Sequence, residues 1–133
     1  MFEIDPGDAI PIWKQIEDEI RRLIAIGRLA PDDSIPSVRD LARKLQVNPA
    51  TVSKAYQELR SEGLLEVRRG EGTFVTTEPP KVKKSERKRA MGTAARRYAS
   101  IAATAGAAVN EAVEEVESAF RRINPGKESS NGR

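Results

Sequence analysis

Residues 35–76 read I-P-S-V-R-D-L-A-R-K-L-Q-V-N-P-A-T-V-S-K-A-Y-Q-E-L-R-S-E-G-L-L-E-V-R-R-G-E-G-T-F-V-T. Pro36 stops a helix from running in from upstream, and Ser37 with Asp40 forms an S-x-x-D capping signal. Val38, Leu41, Ala42 and Leu45 recur at helical spacing, so one face of this first helix is apolar. Gln46 and Val47 make a turn. Asn48 is a good N-cap, and Pro49 suits the first helical position, where its missing N–H costs nothing. Val52, Ala55, Tyr56 and Leu59 give the second helix its apolar face, and Gly63 supplies the stop. Both faces need a third element. Residues 11–26 offer one, with Ile12, Ile16, Ile20, Leu23 and Ile24 in a single stripe.

The opposite face of the second helix carries Ala50, Thr51, Ser53, Lys54 and Gln57, small or polar and crowded toward its start. A helix that enters a DNA major groove needs this, because bulky side chains block approach and free N–H groups favour phosphate. Leu65–Arg68 and Thr73–Thr76 then alternate as two strands, with Arg69-Gly70-Glu71-Gly72 as the turn. The glycines let the backbone reverse near DNA, and the arginines suit phosphate or a narrow minor groove. The whole is the layout of a winged helix-turn-helix. The expected fold class is mainly α with a small β-hairpin, followed by a short C-terminal helical dimerisation region.

Residues 9–76 resemble the DNA-binding domain of the GntR family of bacterial transcription regulators. The resemblance is carried by P-I-W-K-Q-I at Pro11–Ile16, I-G-R-L-A-P-D-D at Ile26–Asp33 and P-S-V-R-D-L-A at Pro36–Ala42. It continues in V-N-P-A-T-V-S-K-A-Y at Val47–Tyr56, E-G-L-L at Glu62–Leu65 and R-R-G-E-G-T-F-V at Arg68–Val75. The V-N-P-x-T-V form with a short tail is similar to the YtrA-type subfamily. That subfamily lacks a large ligand-binding domain and dimerises through a small helical tail. The resemblance implies that Arg39 holds a phosphate or a guanine edge. It places Asn48, Ala50, Thr51, Ser53 and Lys54 where the recognition helix meets DNA, and Arg69 and Gly70 at the wing tip. Ser37, Arg68 and Gly72 complete the expected DNA-binding set. Pro49 occupies the position of a basic contact in some relatives, so base preference does not carry over.

The 133 residues suggest one small domain and an appendage. The expected boundaries are 1–78 for the DNA-binding domain, 79–123 for a basic linker and helical dimerisation region, and 124–133 for a disordered tail. Pro79-Pro80 marks the first boundary. There is no cysteine and no histidine, which removes disulfides, thiolate sites and the commonest metal ligand. No metal and no cofactor are expected. The first residues, M-F-E-I-D-P, do not read as a signal peptide, and Tyr98–Asn110 is too short for a membrane span. A cytoplasmic location and no membrane partner are expected.

The net charge of +3 is unevenly placed. Residues 1–77 hold 11 basic and 13 acidic side chains, whereas residues 81–97 hold eight basic and one acidic. The basic run is either a solvated helix start or an additional phosphate contact. Beyond it, Tyr98, Ala102, Ala105, Val109, Ala112, Val116, Ala119 and Ile123 step by four and three, a heptad-like seam with Phe120 beside it. Gly106 weakens its middle, so two helices are expected. The expected dimerisation residues are Tyr98, Ala102, Ala105, Val109, Ala112, Val116 and Phe120. The alternative is a hairpin packed within one chain.

Other readings stand beside these. Arg39 could pair with Asp40 or Glu62, Thr51 could only cap its helix, and Arg68 could be merely solvated. Tyr56 reads as core, and Trp13 as cover for the edge of the first helix. G-E-G-T lacks the lysine and spacing of a phosphate-binding loop, and no catalytic dyad is recognisable, so an enzyme is not expected. The expected function is a sequence-specific DNA-binding regulator, a repressor that binds an inverted repeat as a homodimer. The expected partners are double-stranded DNA and a second copy of the chain; no small-molecule effector can be named. The alternative is a winged-helix protein-interaction module, which salt-dependent DNA binding separates from the first. A lipid surface for the basic run would need an apolar face, for which only Val82, Met91 and alanines are available.

Overall fold

Two short helices start where their caps lie. The Ser37 Oγ accepts from the Asp40 N–H at 3.0 Å, and the Asn48 Oδ1 accepts from the Ala50 N–H at 2.8 Å. These begin α2 (Val38–Leu45) and α3 (Pro49–Ser61), with Gln46 in the left-handed region between them at φ 58°. Gly63, at φ 82°, follows α3. The computed structural model describes residues 3–123. It divides into two units, Met1–Lys81 and Val82–Arg133. The tail expected at 124–133 lies outside the described residues.

In the first unit α1 (Ile12–Ala25) and α2 pack against α3. The predicted stripes form the core: Ile16, Ile20, Leu41, Val52, Ala55 and Leu59 are all but inaccessible. Leu65 and Val75 bring the hairpin, β2 (Leu65–Arg68) and β3 (Gly72–Val75), onto the same core. Glu17 is also buried, beside Ile16. Arg21 pairs with it one turn on, Lys14 lies 3.6 Å from it one turn back, and Arg21 reaches across to Glu62 at the end of α3. A carboxylate is tolerated there because its charge is compensated on both sides.

The sheet is larger than the expected hairpin. A two-residue strand, β1 (Ser34–Ile35), pairs antiparallel with β3, giving the order β1-β3-β2. Its ladder continues through Asp32 N–H to Val75 O at 3.0 Å and Val75 N–H to Asp33 O at 2.8 Å. The turn is also one residue shorter than expected. Gly72 belongs to β3 and sits opposite Arg68, leaving 69–71 as the loop.

Tyr56 is core, as expected, and its O–H donates to Pro36 O at 2.7 Å. Burial pushes the phenol far above its ordinary value of 10.0. A raised folded-state pKa gives stability that is fully present below pH 10 and lost as pH climbs toward the folded value, because the unfolded chain ionises first. Tyr56→Phe is expected to cost about 1 kcal/mol at neutral pH and to flatten this alkaline decline. Denaturation followed by the fluorescence of Trp13, the single tryptophan, measures both. An unchanged alkaline slope in the variant refutes the assignment.

The second unit holds α4 (Lys84–Thr104) and α5 (Val109–Ile123). Gly106, at φ 84°, stands in the break, so there are two helices, as the sequence suggested. Glu111 Oε1 accepts from the Ala108 N–H at 3.0 Å and satisfies one of the free donors at the start of α5. Tyr98 O–H ties the pair by donating to Ala112 O at 2.8 Å. No residue of either helix is buried, and Val109 and Phe120 are 79% and 56% exposed. Of the expected dimerisation residues, Tyr98, Ala102 and Ala112 are half-buried, whereas Ala105, Val109, Val116 and Phe120 are exposed. Val109, Val113, Val116, Phe120 and Ile123 of α5 are left exposed.

Candidate nucleic-acid interface

The start of α3 projects from the first unit without bulk. Asn48, Ala50 and Lys54 are exposed, and Thr51 and Ser53 are half-buried. Asn48 Oδ1 holds the Ala50 N–H, so only its amide group is left to donate outward. Thr51 N–H bonds to Asn48 O at 2.9 Å as part of the first turn, and the Thr51 side chain makes no capping bond among the described residues. Its hydroxyl is thus available to a ligand rather than committed to the helix. Ser37 caps α2 with its oxygen and can still donate its proton.

Arg39 is exposed and forms no ion pair among the described residues. Its two suggested partners are taken, since Asp40 lies 3.4 Å from Arg43 and Glu62 pairs with Arg21. Lys54 has an unforeseen neighbour. Its ammonium sits 4.6 Å from the centroid of the Trp13 ring. A cation over an indole face is attracted by the ring quadrupole. Trp13 therefore does more than cover α1: it restrains the lysine on the outer face of α3.

The two wing arginines differ. Arg69 is exposed, as are Gly70 and Gly72. Arg68 is gathered in by its neighbours: it donates to Asp32 Oδ1 at 2.6 Å and Glu66 Oε2 at 2.7 Å, and it lies 4.3 Å over the Phe74 ring. The bonded guanidinium holds the Asp32 carboxyl below its usual value, with the Thr77 hydroxyl at 3.0 Å assisting. In turn Asp32 and then Glu66 raise Arg68. Arg68 is neither free nor merely solvated. It braces the hairpin against the loop before β1, and Arg69 is the cation the wing offers outward. Strand alternation could have found part of this, because Glu66 and Arg68 share a face of β2 and Phe74 stands opposite Glu66. Nothing local foretold Asp32.

Among the described residues no cluster of acidic side chains could hold a metal ion, and no helix is long and apolar enough to cross a membrane. Three helices, a capped turn and a hairpin over one core define a winged helix-turn-helix. Residues 12–75 match the model of bacterial regulatory proteins of the gntR family. The chain is 46% identical over 76 residues to the HTH-type transcriptional repressor YtrA of Bacillus subtilis, covering 57% of this chain and 58% of that one. It is 33% identical over 112 residues to the HTH-type transcriptional regulator Rv1152 of Mycobacterium tuberculosis, covering 84% and 88%. Among solved structures, the DNA-binding domain of AraR in complex with operator ORX1 is similar. Its TM-score is 0.50 at 34% identity, over 56% of this chain and 92% of that one. The chain belongs to the GntR family. Its match to YtrA spans a little over half of that relative's length.

Proposed function

We propose that the protein is a sequence-specific DNA-binding transcription regulator that acts as a homodimeric repressor on an inverted repeat. The observation that carries this is the outer face of α3: a capped, unbulky first turn with free hydroxyls and a restrained lysine, flanked by unpaired Arg39 and by Arg69 at the wing. Support comes from the family, from AraR seen with its operator, and from the repressor named among the relatives. In this reading residues 1–78 read DNA and residues 79–123 pair the subunits. The work is done where the bacterial chromosome lies, in the cytoplasm. Repression needs no catalysis, because occupancy of a promoter is enough. Two readers related by a two-fold axis match a two-fold symmetric site, with half-sites about one helical turn, roughly 10 base pairs, apart.

Selection of bound sequences from random duplexes at stated salt tests this reading. Enrichment of a symmetric motif is the expected result. Arg39→Ala and Arg69→Ala should then weaken binding by a similar factor on all duplexes, while Thr51→Ala should relax base preference. Arg68→Ala should affect the wing's rigidity more than direct contact. No enriched motif, with salt-insensitive binding, refutes the proposal and favours a protein-docking module.

A further inference from the structure

The positive charge of this chain is not where α3 and the wing are. Within the first unit, pairing also removes cations: Lys14, Arg21, Arg22, Arg43 and Arg68 each meet a carboxylate. Residues 81–97 behave oppositely. Their eight basic side chains are all exposed, and none forms an ion pair among the described residues. Arg96 finds only the Thr93 hydroxyl, at 3.4 Å. Unpaired cations crowded along the first turns of α4 and the residues just before it repel each other, and a polyanion relieves that repulsion.

The way the charges wrap α4 indicates which polyanion. Lys84, Arg87 and Lys88 fall on the face that continues into Met91, Ala95 and Tyr98, while Arg89 and Arg96 fall on another. A helix that lies on lipid keeps its cations off its apolar face. This one does not separate them, so a membrane surface suits it poorly and phosphates spaced along a duplex suit it well.

The run is also tethered. Thr76 Oγ1 donates to Gly63 O at 2.8 Å, Thr76 N–H donates to Leu64 O at 3.1 Å, and the Pro80 ring lies beside Gly63. The chain is thereby held at the base of the hairpin. Only residues 81–83 lead from there to α4, a span of at most about 11 Å. Whenever α3 occupies a groove, the eight cations are kept at high effective concentration beside the same duplex.

We propose that residues 81–97 are a second, sequence-independent DNA-binding surface that grips backbone phosphates beyond the bases read by α3. This rests on the reading of the protein as a DNA binder. The surface supplies affinity, and α3 with the wing supplies choice of sequence.

The test uses the full chain carrying Lys83→Gln, Lys84→Gln, Arg87→Gln and Lys88→Gln, all exposed; Lys83 precedes α4, and at the three helical positions Gln keeps a good helix former. Binding to a selected and to an unrelated duplex is followed by fluorescence anisotropy across salt concentrations. The log–log salt slope should become shallower by about 0.9 for each phosphate no longer neutralised, up to about 3.6. Both duplexes should weaken by the same factor, leaving their ratio intact. Arg89→Gln with Arg96→Gln, on the other face, should shift the slope by a smaller amount in the same direction. Unchanged slopes in both variants overturn the proposal. So does loss of binding to phosphatidylserine vesicles with unchanged DNA slopes, which reassigns the run to lipid. If selection enriches no motif yet the slope on unrelated DNA falls as stated, the regulator reading fails and this surface stands.

Discussion

Val116→Glu is expected to turn the protein into a monomer and to weaken binding to a two-half-site operator by on the order of a hundred-fold or more. Val116 shares one face of α5 with Val109, Val113, Phe120 and Ile123, and all five are exposed in the single chain. The face has the i, i+4, i+7, i+11 spacing of a helix built to meet another apolar surface. A carboxylate placed there and buried without a partner costs about 3–5 kcal/mol. Each 1.4 kcal/mol is roughly a factor of ten, so dimers dissociate at micromolar concentration. Loss of the tether between two readers then removes the avidity. Sedimentation and operator titration report the two effects. A dimer with unchanged affinity shows that this face does not join the subunits. Val109, at the first position of α5, is the poorer test site, because a helix end can move away from a partner.

The second large effect is on stability. Leu59 is fully buried in α3, the helix against which α1, α2 and β2 all pack. Leu59→Ala removes apolar packing and leaves a cavity, at a cost of about 2–5 kcal/mol. A domain of this size has only about 5–15 kcal/mol in hand, so the loss is a large share of it. Trp13 fluorescence should show a lower urea midpoint with little change in slope. An unmoved midpoint would mean that α3 is not the centre of the core.

What could be read from the sequence was local. Ser37, Asn48-Pro49 and Gly63 announce the ends of α2 and α3 because each acts on the backbone within three residues of itself. The apolar stripes announce the core for the same reason. By contrast, β1 is two residues long, too short for alternation to register, and it exists because β3 offers an edge. The Asp32–Arg68 bond joins residues 36 apart in sequence, and Lys54 over Trp13 joins two helices. No short window on the chain contains both partners. Candidate contacts on α3 were legible as types of residue. Which of them are already committed, as Asn48 Oδ1 and Arg68 are, depends on neighbours that only folding supplies.

The bracing of Arg68 has a consequence for kinetics. A loose wing must lose its conformational freedom at the moment it meets a ligand, and that entropy is subtracted from affinity. Here the guanidinium is already fixed by two carboxylates and an aromatic ring, so ordering of the hairpin base is completed during folding. If the protein reads DNA as proposed, that encounter resembles the docking of rigid bodies, whose association rates vary little among related sites. A preferred operator and a poor one should differ chiefly in how long the complex lasts. Cutting the brace at Asp32 should shorten that residence time while leaving the rate of arrival nearly unchanged.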